Sequence, residues 1–565
     1  MPRLPSKGAL VYVLLVVLRI YVSQLPSYIH PDEFFQGPEI AAAEILQVGA
    51  LRTWEFGSQP IRSIGPIFIF NGPPFLILRL LRDLLDIQLT PQMVFKSERL
   101  FSSLLSLVID WCIYRALRRS HTNARLLPTM LLLASAHCLV VFGSHTFANS
   151  SAAVLVAVCL DIASAMENSA TKSEDDRKPK CRRLWIVLGM MLALGTFTHI
   201  SFPMFALPFG IMALVLGGIH GAAMLAMGGL LTTAALVGID SWYYDTPLVC
   251  TVLNNIVYNS SEDNLALHGT HPRYLHLVSS MPTLFGPLYL AAIWAAWRSL
   301  QSSWRAWSGL SLSAAASVVS GLALLSLAPH QEPRFMVPAI GGMVVSTWWL
   351  HRHLTRAFWV PWVVFNVVLA AAFGVVHQAG VVPVVHELAE TSVFPRAQCQ
   401  PMGGRSADYV CGPSPLLFSD AALDKQLTTR VFAVSTYLLP RHLLLQADEA
   451  DEEHAGARVD LVDLVGMSDK EKRDRLLSAV LVGCDSVYRD PRVKVYARTG
   501  SNGFERALLV APASLDVSSV VPKDGAIDAV LVSRKSPHVN FDHIGRILQQ
   551  PAGRAALEIF VLCAR

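Results

Sequence analysis

The sequence predicts an all-α polytopic membrane protein with a small α/β domain at its C-terminal end. Three observations predict it. The 565 residues are 53% hydrophobic and only 16% charged, where a soluble chain carries about a quarter charged residues. Mean hydropathy is +0.43. Apolar runs approaching the roughly 20 residues that cross a bilayer recur up to residue 377 and then stop. The net charge of +4 is too small to imply a nucleic-acid partner.

The spans are expected at roughly 8–26, 98–117, 126–145, 150–167, 184–200, 202–218, 221–239, 283–298, 306–328, 336–351 and 357–377, about eleven in all. The first follows a basic start, Arg3 and Lys7, as a signal peptide would. No small-residue cleavage site comes after it, so it reads as a retained span. Basic residues then fix direction. With the N-terminus cytosolic, alternate loops on the same side carry Arg115, Arg118, Arg119 and Arg125; Lys172 to Arg183; Arg298 and Arg305; and Arg352 and Arg356. The opposite, lumenal side receives 28–97, 240–282, 329–335 and the tail from 378, together with the glycosylation sequons at Asn149 and Asn259. The chain thus divides into a membrane domain, 1–377, and a lumenal domain, 378–565.

Three lumenal pieces carry candidate chemistry. The first loop opens with His30-Pro31-Asp32-Glu33. Carboxylates this close to a span face polar cavities, and one can take a proton from an attacking hydroxyl; the same residues also suit the capping of a helix starting after Pro31. Residues 39–51 have the spacing of an interfacial amphipathic helix. The Gly-, Pro- and aromatic-rich stretch 53–75, with Arg62 at its middle, suits irregular backbone sheltered by protein. The second piece, Ala328 to Pro338, packs His330, Glu332 and Arg334 into one short turn; Arg334 can clamp a phosphate or simply pair with Glu332. The third, Thr251 to His276, is dense in Asn and His, including Asn264, His268, His271 and Arg273, as a hydroxyl-rich ligand requires; no carboxylate stands at metal spacing from the histidines.

These residues give the chain its resemblance to the GPI mannosyltransferase 4 family of glycosyltransferase family 22. The matching motifs are His30 to Glu33, Thr53-Trp-Glu with Pro60-Ile-Arg-Ser63, Tyr258-Asn259 with Asn264 to Arg273, and Pro329 to Phe335, with a weaker match at Pro537 to Asp542. The resemblance implies the GT-C membrane fold in the endoplasmic reticulum, no cofactor or metal, dolichyl-phosphate-mannose as donor, and a three-mannose GPI precursor lipid as acceptor. The fourth mannose would be added in α1,2 linkage with inversion. On this reading Asp32 is the base and Glu33 orients it or the acceptor. Arg334, His330 and Arg62 face the donor phosphate, and His30, Asn264, His268, His271, Arg273 and Glu332 face the acceptor.

The tail alternates short apolar runs with turns and helical segments such as 468–477, the pattern of a small α/β domain. A lumenal location permits disulfides. Cys399 and Cys411 are the expected pair, whereas Cys484 and Cys563 sit in apolar runs and read as buried thiols. Alternative functions are a related transferase acting on another GPI or N-glycan lipid precursor, a polytopic transporter using the intramembrane acids Asp161 and Asp110, or a lipid-binding scaffold.

Overall fold

The computed structural model describes residues 7–120, 126–170, 174–301, 309–392, 397–401, 408–413, 426–447, 457–489, 495–499, 503–521, 526–541, 545 and 555–565. Helix α1 (Lys7–Ser23) leads into four short helices: α2 (Asp32–Phe35), α3 (Pro38–Leu46), α4 (Ile64–Phe70) and α5 (Gly72–Leu85). There follow α6 (Pro91–Ser120), α7 (Leu126–Ser135), α8 (Ala148–Ala170), α9 (Glu174–Thr198) and α10 (Phe202–Tyr243). A second polar stretch holds α11 (Thr251–Asn259) and α12 (Glu262–Leu267). Then come α13 (Met281–Phe285), α14 (Pro287–Gln301), α15 (Gly309–Leu327), α16 (Ile340–Ser346), α17 (Arg356–Ala371) and α18 (Val381–Ser392).

Among the described residues, five helices are long and apolar enough to cross a membrane. Two strongly bent pairs, Ile64–Phe70 with Gly72–Leu85 and His276–Phe285 with Pro287–Arg298, raise this to seven. The protein is therefore a multi-pass membrane protein. Eleven separate spans were expected; part of the difference lies in broken helices, and α10 is a single element where two spans were expected. The run 336–351 is a 3₁₀ segment, α16 and a second 3₁₀ segment. Such breaks are tolerated where protein rather than lipid surrounds the backbone. Helix α10 would be about 63 Å long if straight, twice a bilayer core, but Gly218 interrupts it at φ 51°. A Cβ at Gly195 would strike Phe202, whereas Cβ atoms at Gly189 and Gly228 would strike the backbone of Leu225 and Ile186. The two halves of α10 thus run in opposite senses along α9, with Gly189 and Gly228 allowing close contact. Some basic residues used for orientation, Arg3, Arg125, Lys172 and Arg305, lie outside the described residues.

Two expectations for the first loop are corrected. The segment 39–51 does form a helix, α3, but Glu39, Ile40, Ala41 and Ala42 are wholly buried, so it does not lie on lipid. Its alanines allow close packing from several sides. The outward apolar face belongs instead to α5, whose Leu76, Ile77, Leu80, Leu84 and Leu85 are exposed. Arg79 and Arg82 of α5 donate to the last carbonyls of α3, Ile45 and Leu46, a favourable place for cations. The stretch 53–75, expected to be irregular, contains α4 and the start of α5, which together form one of the bent pairs.

The C-terminal part is a mixed eight-stranded sheet: β1 (Ala397–Pro401), β2 (Asp408–Pro413), β3 (Gln426–Ala433), β4 (Ala457–Asp463), β5 (Val495–Thr499), β6 (Gly503–Pro512), β7 (Ile527–Lys535) and β8 (Leu557–Ala564). The order is β1-β2-β5-β6-β3-β4, with β8 beside β6 and β7 beside β8; β3 is parallel to β4 and β6. Alternation along the strands sends Phe432, Leu509 and Leu562 to one face, where Leu476 of helix α19 (Asp469–Ala479) covers them. It sends Val431, Leu508 and Val561 to the other, into one core with Phe34, Ile40 and Val385. The sheet thus packs directly on the loop bearing the acid motif. Cys484 of helix α20 (Cys484–Arg489) is bonded to Cys563 of β8, which corrects the buried-thiol reading. Cys411 is disulfide-bonded. Cys399 stands opposite it in the strand register, and its side chain lies outside the described residues.

Candidate active site

Pro31 starts the single turn α2, and the peptide N–H groups of Glu33 and Phe34 bond back to His30 and Pro31. Asp32 occupies the first helical position, and its side chain does not cap the helix. The carboxylate turns instead to Arg334, 2.7 Å away, and to His30 Nδ1 at 3.3 Å, and accepts from Gln36 Nε2 at 2.5 Å. Gln36 also reaches Glu55, which accepts two bonds from Arg62, at 2.8 and 3.0 Å. On its other side Arg334 pairs with Glu332 and lies over the rings of Phe147 and Phe335. Glu332 accepts from His330 Nε2 at 2.8 Å, and His330 Nδ1 donates to Gly269 O at 3.1 Å. Both ring nitrogens therefore act as donors, which defines an imidazolium.

Electrostatics follow this geometry. Burial alone would lift Asp32; Arg334, with His30 and Arg62, overrides it and holds the carboxyl well below the usual carboxylate range. Burial is overridden in the same way at Glu332, by Arg334 and His330. The Glu332 hydrogen bond raises His330 against its burial.

Glu33 faces the opposite way. It is fully enclosed, pairs with the buried Arg99, accepts the Ile29 N–H at 3.0 Å and lies 3.9 Å from His145. Thr146 donates to its carbonyl. Burial pushes the Glu33 carboxyl up more than Arg99 pulls it down. Asp32 keeps a quarter of its side chain exposed, and Glu33 none. Glu33 therefore cannot touch an acceptor, which narrows its expected role to holding the motif.

The segment 251–276 docks against the 328–335 turn. His271 N–H donates to Pro329 O at 2.8 Å, and Gln331 Oε1 accepts from His276 N–H. His268 and His271 stand 5.7 and 5.9 Å from His330, ring to ring. His268 is bonded to the Tyr258 hydroxyl, and Tyr258 stacks on the exposed Trp54. Two residues expected at the acceptor have partners within the chain. Asn264 bonds the Tyr258 carbonyl and Ser261, within its own turn. Arg273 is exposed and donates to Leu327 O at the end of α15. Asn149, expected as a glycosylation site, is buried in the first turn of α8 beside His199 Nε2, so a glycan cannot reach it; Asn259 is exposed. Asp542, in the weaker motif, lies outside the described residues.

Gln36 and Arg62 line a pocket of about 340 Å³ shared with Asn71, Thr146, Ser151 and Thr198. Asn71, Thr146 and Ser151 also line a second space of about 390 Å³ between α6 and α8, walled largely by apolar side chains such as Leu105, Ile109 and Val154. A more polar recess, lined by a cation, and a more apolar one within the helical bundle thus share a wall.

Residues that the sequence did not single out are Arg99, Gln36, Glu55 and Gln331. Arg99 stands with Glu98 at the start of the expected span 98–117, where an ionisable residue carries only a weak signal. The intramembrane acids Asp161 and Asp110 are both paired, with Arg119 at 2.5 Å and Arg19 at 3.2 Å. Both pairs read as structural rather than as a transport path. Among the described residues, no three His, Cys, Asp or Glu side chains are grouped to hold a metal.

Comparisons with known proteins agree on family. The model of the Alg9-like mannosyltransferase family matches residues 10–409. Similar proteins include GPI mannosyltransferase 4 of Yarrowia lipolytica, 33% identical over 67% of this chain and 72% of that protein. GPI alpha-1,2-mannosyltransferase 4 of Homo sapiens is 32% identical over 80% and 78%. Among solved structures, ArnT from Cupriavidus metallidurans bound to undecaprenyl phosphate aligns with a TM-score of 0.44 at 13% identity, over 68% of this chain and 66% of that one. The match over residues 10–409 and these identities place the chain in the Alg9-like mannosyltransferase family, alongside the members named GPI mannosyltransferase 4.

Proposed function

We propose that the protein transfers mannose from dolichyl-phosphate-mannose to the third mannose of a GPI-precursor lipid, in α1,2 linkage and with inversion. The observation that carries this reading is the pairing of a partly exposed carboxylate with a buried guanidinium, Asp32 to Arg334 at 2.7 Å, near two adjoining recesses, one more polar and one more apolar. A lipid-linked sugar phosphate has the same two-part character. The names of the curated relatives support the GPI acceptor.

In the reaction an acceptor hydroxyl attacks C1 of the donor mannose, the bond from C1 to the phosphate oxygen breaks, and Asp32 takes the hydroxyl proton. The electron pair leaves on dolichyl phosphate, itself a good leaving group, so a second carboxyl acting as acid, as in a glycosidase, is not required. Arg334, with the His330 imidazolium and Arg62, stabilises the charge growing on that phosphate. In the free enzyme the pairing with Arg334 makes Asp32 a weak base. A donor phosphate drawn to the same guanidinium shares its charge, which raises the carboxylate's basicity when substrate is present. The reading extends to eleven spans in a GT-C arrangement of residues 1–377, in the endoplasmic-reticulum membrane, with the N-terminus cytosolic and both the site and 378–565 lumenal.

The test is transfer by the purified protein in detergent, with radiolabelled dolichyl-phosphate-mannose and a three-mannose GPI lipid. A product labile to an α1,2-specific mannosidase is expected. Transfer to a different lipid acceptor, with none to the three-mannose lipid, would move the assignment to a related transferase.

A further inference from the structure

We propose that the C-terminal domain is part of the catalytic apparatus, and that His442 is the positioning residue through which it fixes the acid motif. The inference rests on the transfer reading above for its activity measurement.

The geometry is a strap, residues 437–446, laid along the first loop. The Tyr28 hydroxyl donates to Leu438 O at 3.1 Å, and the Gly49 N–H to Gln446 O at 2.8 Å. The rings of Tyr28 and His30 lie 5.2 and 6.4 Å from that of Tyr437. Glu39 accepts the backbone N–H groups of Arg441 and His442. The acid motif, 30–33, is therefore flanked on both sides by residues anchored to the C-terminal chain.

His442 sits at the centre of the strap, fully buried. Nδ1 is 3.1 Å from Glu39 and Nε2 is 3.2 Å from Glu98. Nε2 is hydrogen-bonded to Glu98, whereas Nδ1 meets Glu39 as a close charge contact outside hydrogen-bond geometry; a carboxylate beside each nitrogen favours the cationic ring. The other faces of the ring meet Phe34 of α2 and Phe75 of α5 at 5.9 and 6.2 Å. Its nearest charged groups are thus Glu39 on α3 and Glu98 on α6, with Arg441 next to it in the chain. Beside Glu98 stands Arg99, also buried, which holds Glu33 and the Ser27 carbonyl. The enclosed cluster then contains carboxylates at Glu33, Glu39 and Glu98 against cations at Arg99 and His442. Loss of the His442 charge leaves Glu98 with Arg99 as its remaining cation, and Arg99 is the residue that orients Glu33.

A buried ionic cluster is a poor way to gain stability compared with packed apolar residues, and apolar contacts already join the sheet to the loop. What the ions add is direction: they fix which way Glu33 points and hence that its neighbour Asp32 turns the other way, toward Arg334 and Gln36. Burial would lower the His442 pKa, but Glu39 and Glu98 raise it to about 9. Because the folded value lies above the ordinary one, the docking is complete below about 6.5. It is lost as pH rises through about 9.

The test uses the full-length enzyme with His442→Gln and the double variant Glu98→Gln/His442→Gln, each scaled to its folded fraction. For His442→Gln, kcat is expected to fall about 10- to 100-fold with little change in donor or acceptor KM, as for a displaced catalytic group. The double variant, which removes the uncompensated carboxylate, should recover part of that loss. The alkaline fall in wild-type kcat near pH 9 should be absent from both. Hydrogen exchange supplies a readout independent of substrate: amides of residues 28–36 should exchange faster in His442→Gln than in wild type at neutral pH. If turnover per folded molecule and exchange at 28–36 both match wild type, His442 is only a packing residue and the proposal is overturned. If wild type itself transfers no mannose under these conditions, the functional reading fails, and the exchange comparison alone decides the positioning role.

Discussion

Asp32 and Glu33 are consecutive carboxylates in opposite environments. Asp32 is partly exposed, meets Arg334 from a turn some three hundred residues away, and accepts from Gln36, which lines the more polar recess. Glu33 is sealed among the 27–29 segment, α6 and the His145 region, and its partner Arg99 is fully buried. The first residue is placed to exchange partners, and the second to keep one. A single residue step separates chemistry from scaffold, and the difference arises from which way each side chain leaves α2.

That contrast can be broken in order of expected effect. Arg334→Ala should lower kcat/KM for the lipid-phosphate donor by about 10²-fold, the scale for removing one charge-stabilising donor, measured at limiting donor. Unchanged use of the donor would leave Arg334 a structural cation. The next largest effect is on stability. Glu33→Gln strands a buried Arg99 and should destabilise by about 3–5 kcal/mol, as breaking a buried pair does. A thermal melt in detergent checks this, and a Glu33→Gln enzyme as stable as wild type would show that Glu33 is not scaffold.

The contrast also has a pH signature. Asp32 is depressed in the folded enzyme, so its ionised form, and the stability it contributes, persist above the ordinary carboxylate value and are lost only below it. The kcat/KM profile should therefore show no limb from Asp32 above about pH 4. In Arg334→Ala, burial acts unopposed by that cation and an acid limb should move upward. A limb that stays in place would uncouple the two residues. The smallest effect is expected at the periphery. Arg273→Ala and Asn264→Ala should change acceptor KM by no more than about twofold, as surface changes do, because Asn264 bonds within its own turn and Arg273 bonds the end of α15; a large rise in KM would place them at the acceptor.

The convergence of Asp32, Arg334, His330 and the 251–276 segment was legible because counting spans puts all their loops on one face of the membrane. Their exact partners were not. Glu332 pairs with Arg334, as local spacing suggests, yet Arg334 also reaches Asp32, a contact between distant loops that no local pattern encodes. Glu98 and Arg99 sit at the start of an apolar run and read as interfacial charges, although both are buried in ionic contacts. The amphipathic spacing of 39–51 marked a helix correctly, but spacing cannot distinguish a face covered by lipid from one covered by a distant domain. Here the strap 437–446, which covers α3, lies some four hundred residues downstream. Cys484 and Cys563 are 79 residues apart and meet because α20 packs against β8, an arrangement known only once the sheet is formed.

The central claim is that Asp32, and not its neighbour, takes the proton in the transfer. The direct measurement is single-turnover mannose transfer by Asp32→Asn at saturating donor and acceptor, in enzyme whose thermal melt matches wild type. A loss of about 10²- to 10⁴-fold, the range for a general base, is the predicted result. Turnover within a few-fold of wild type in that folded variant would contradict the account.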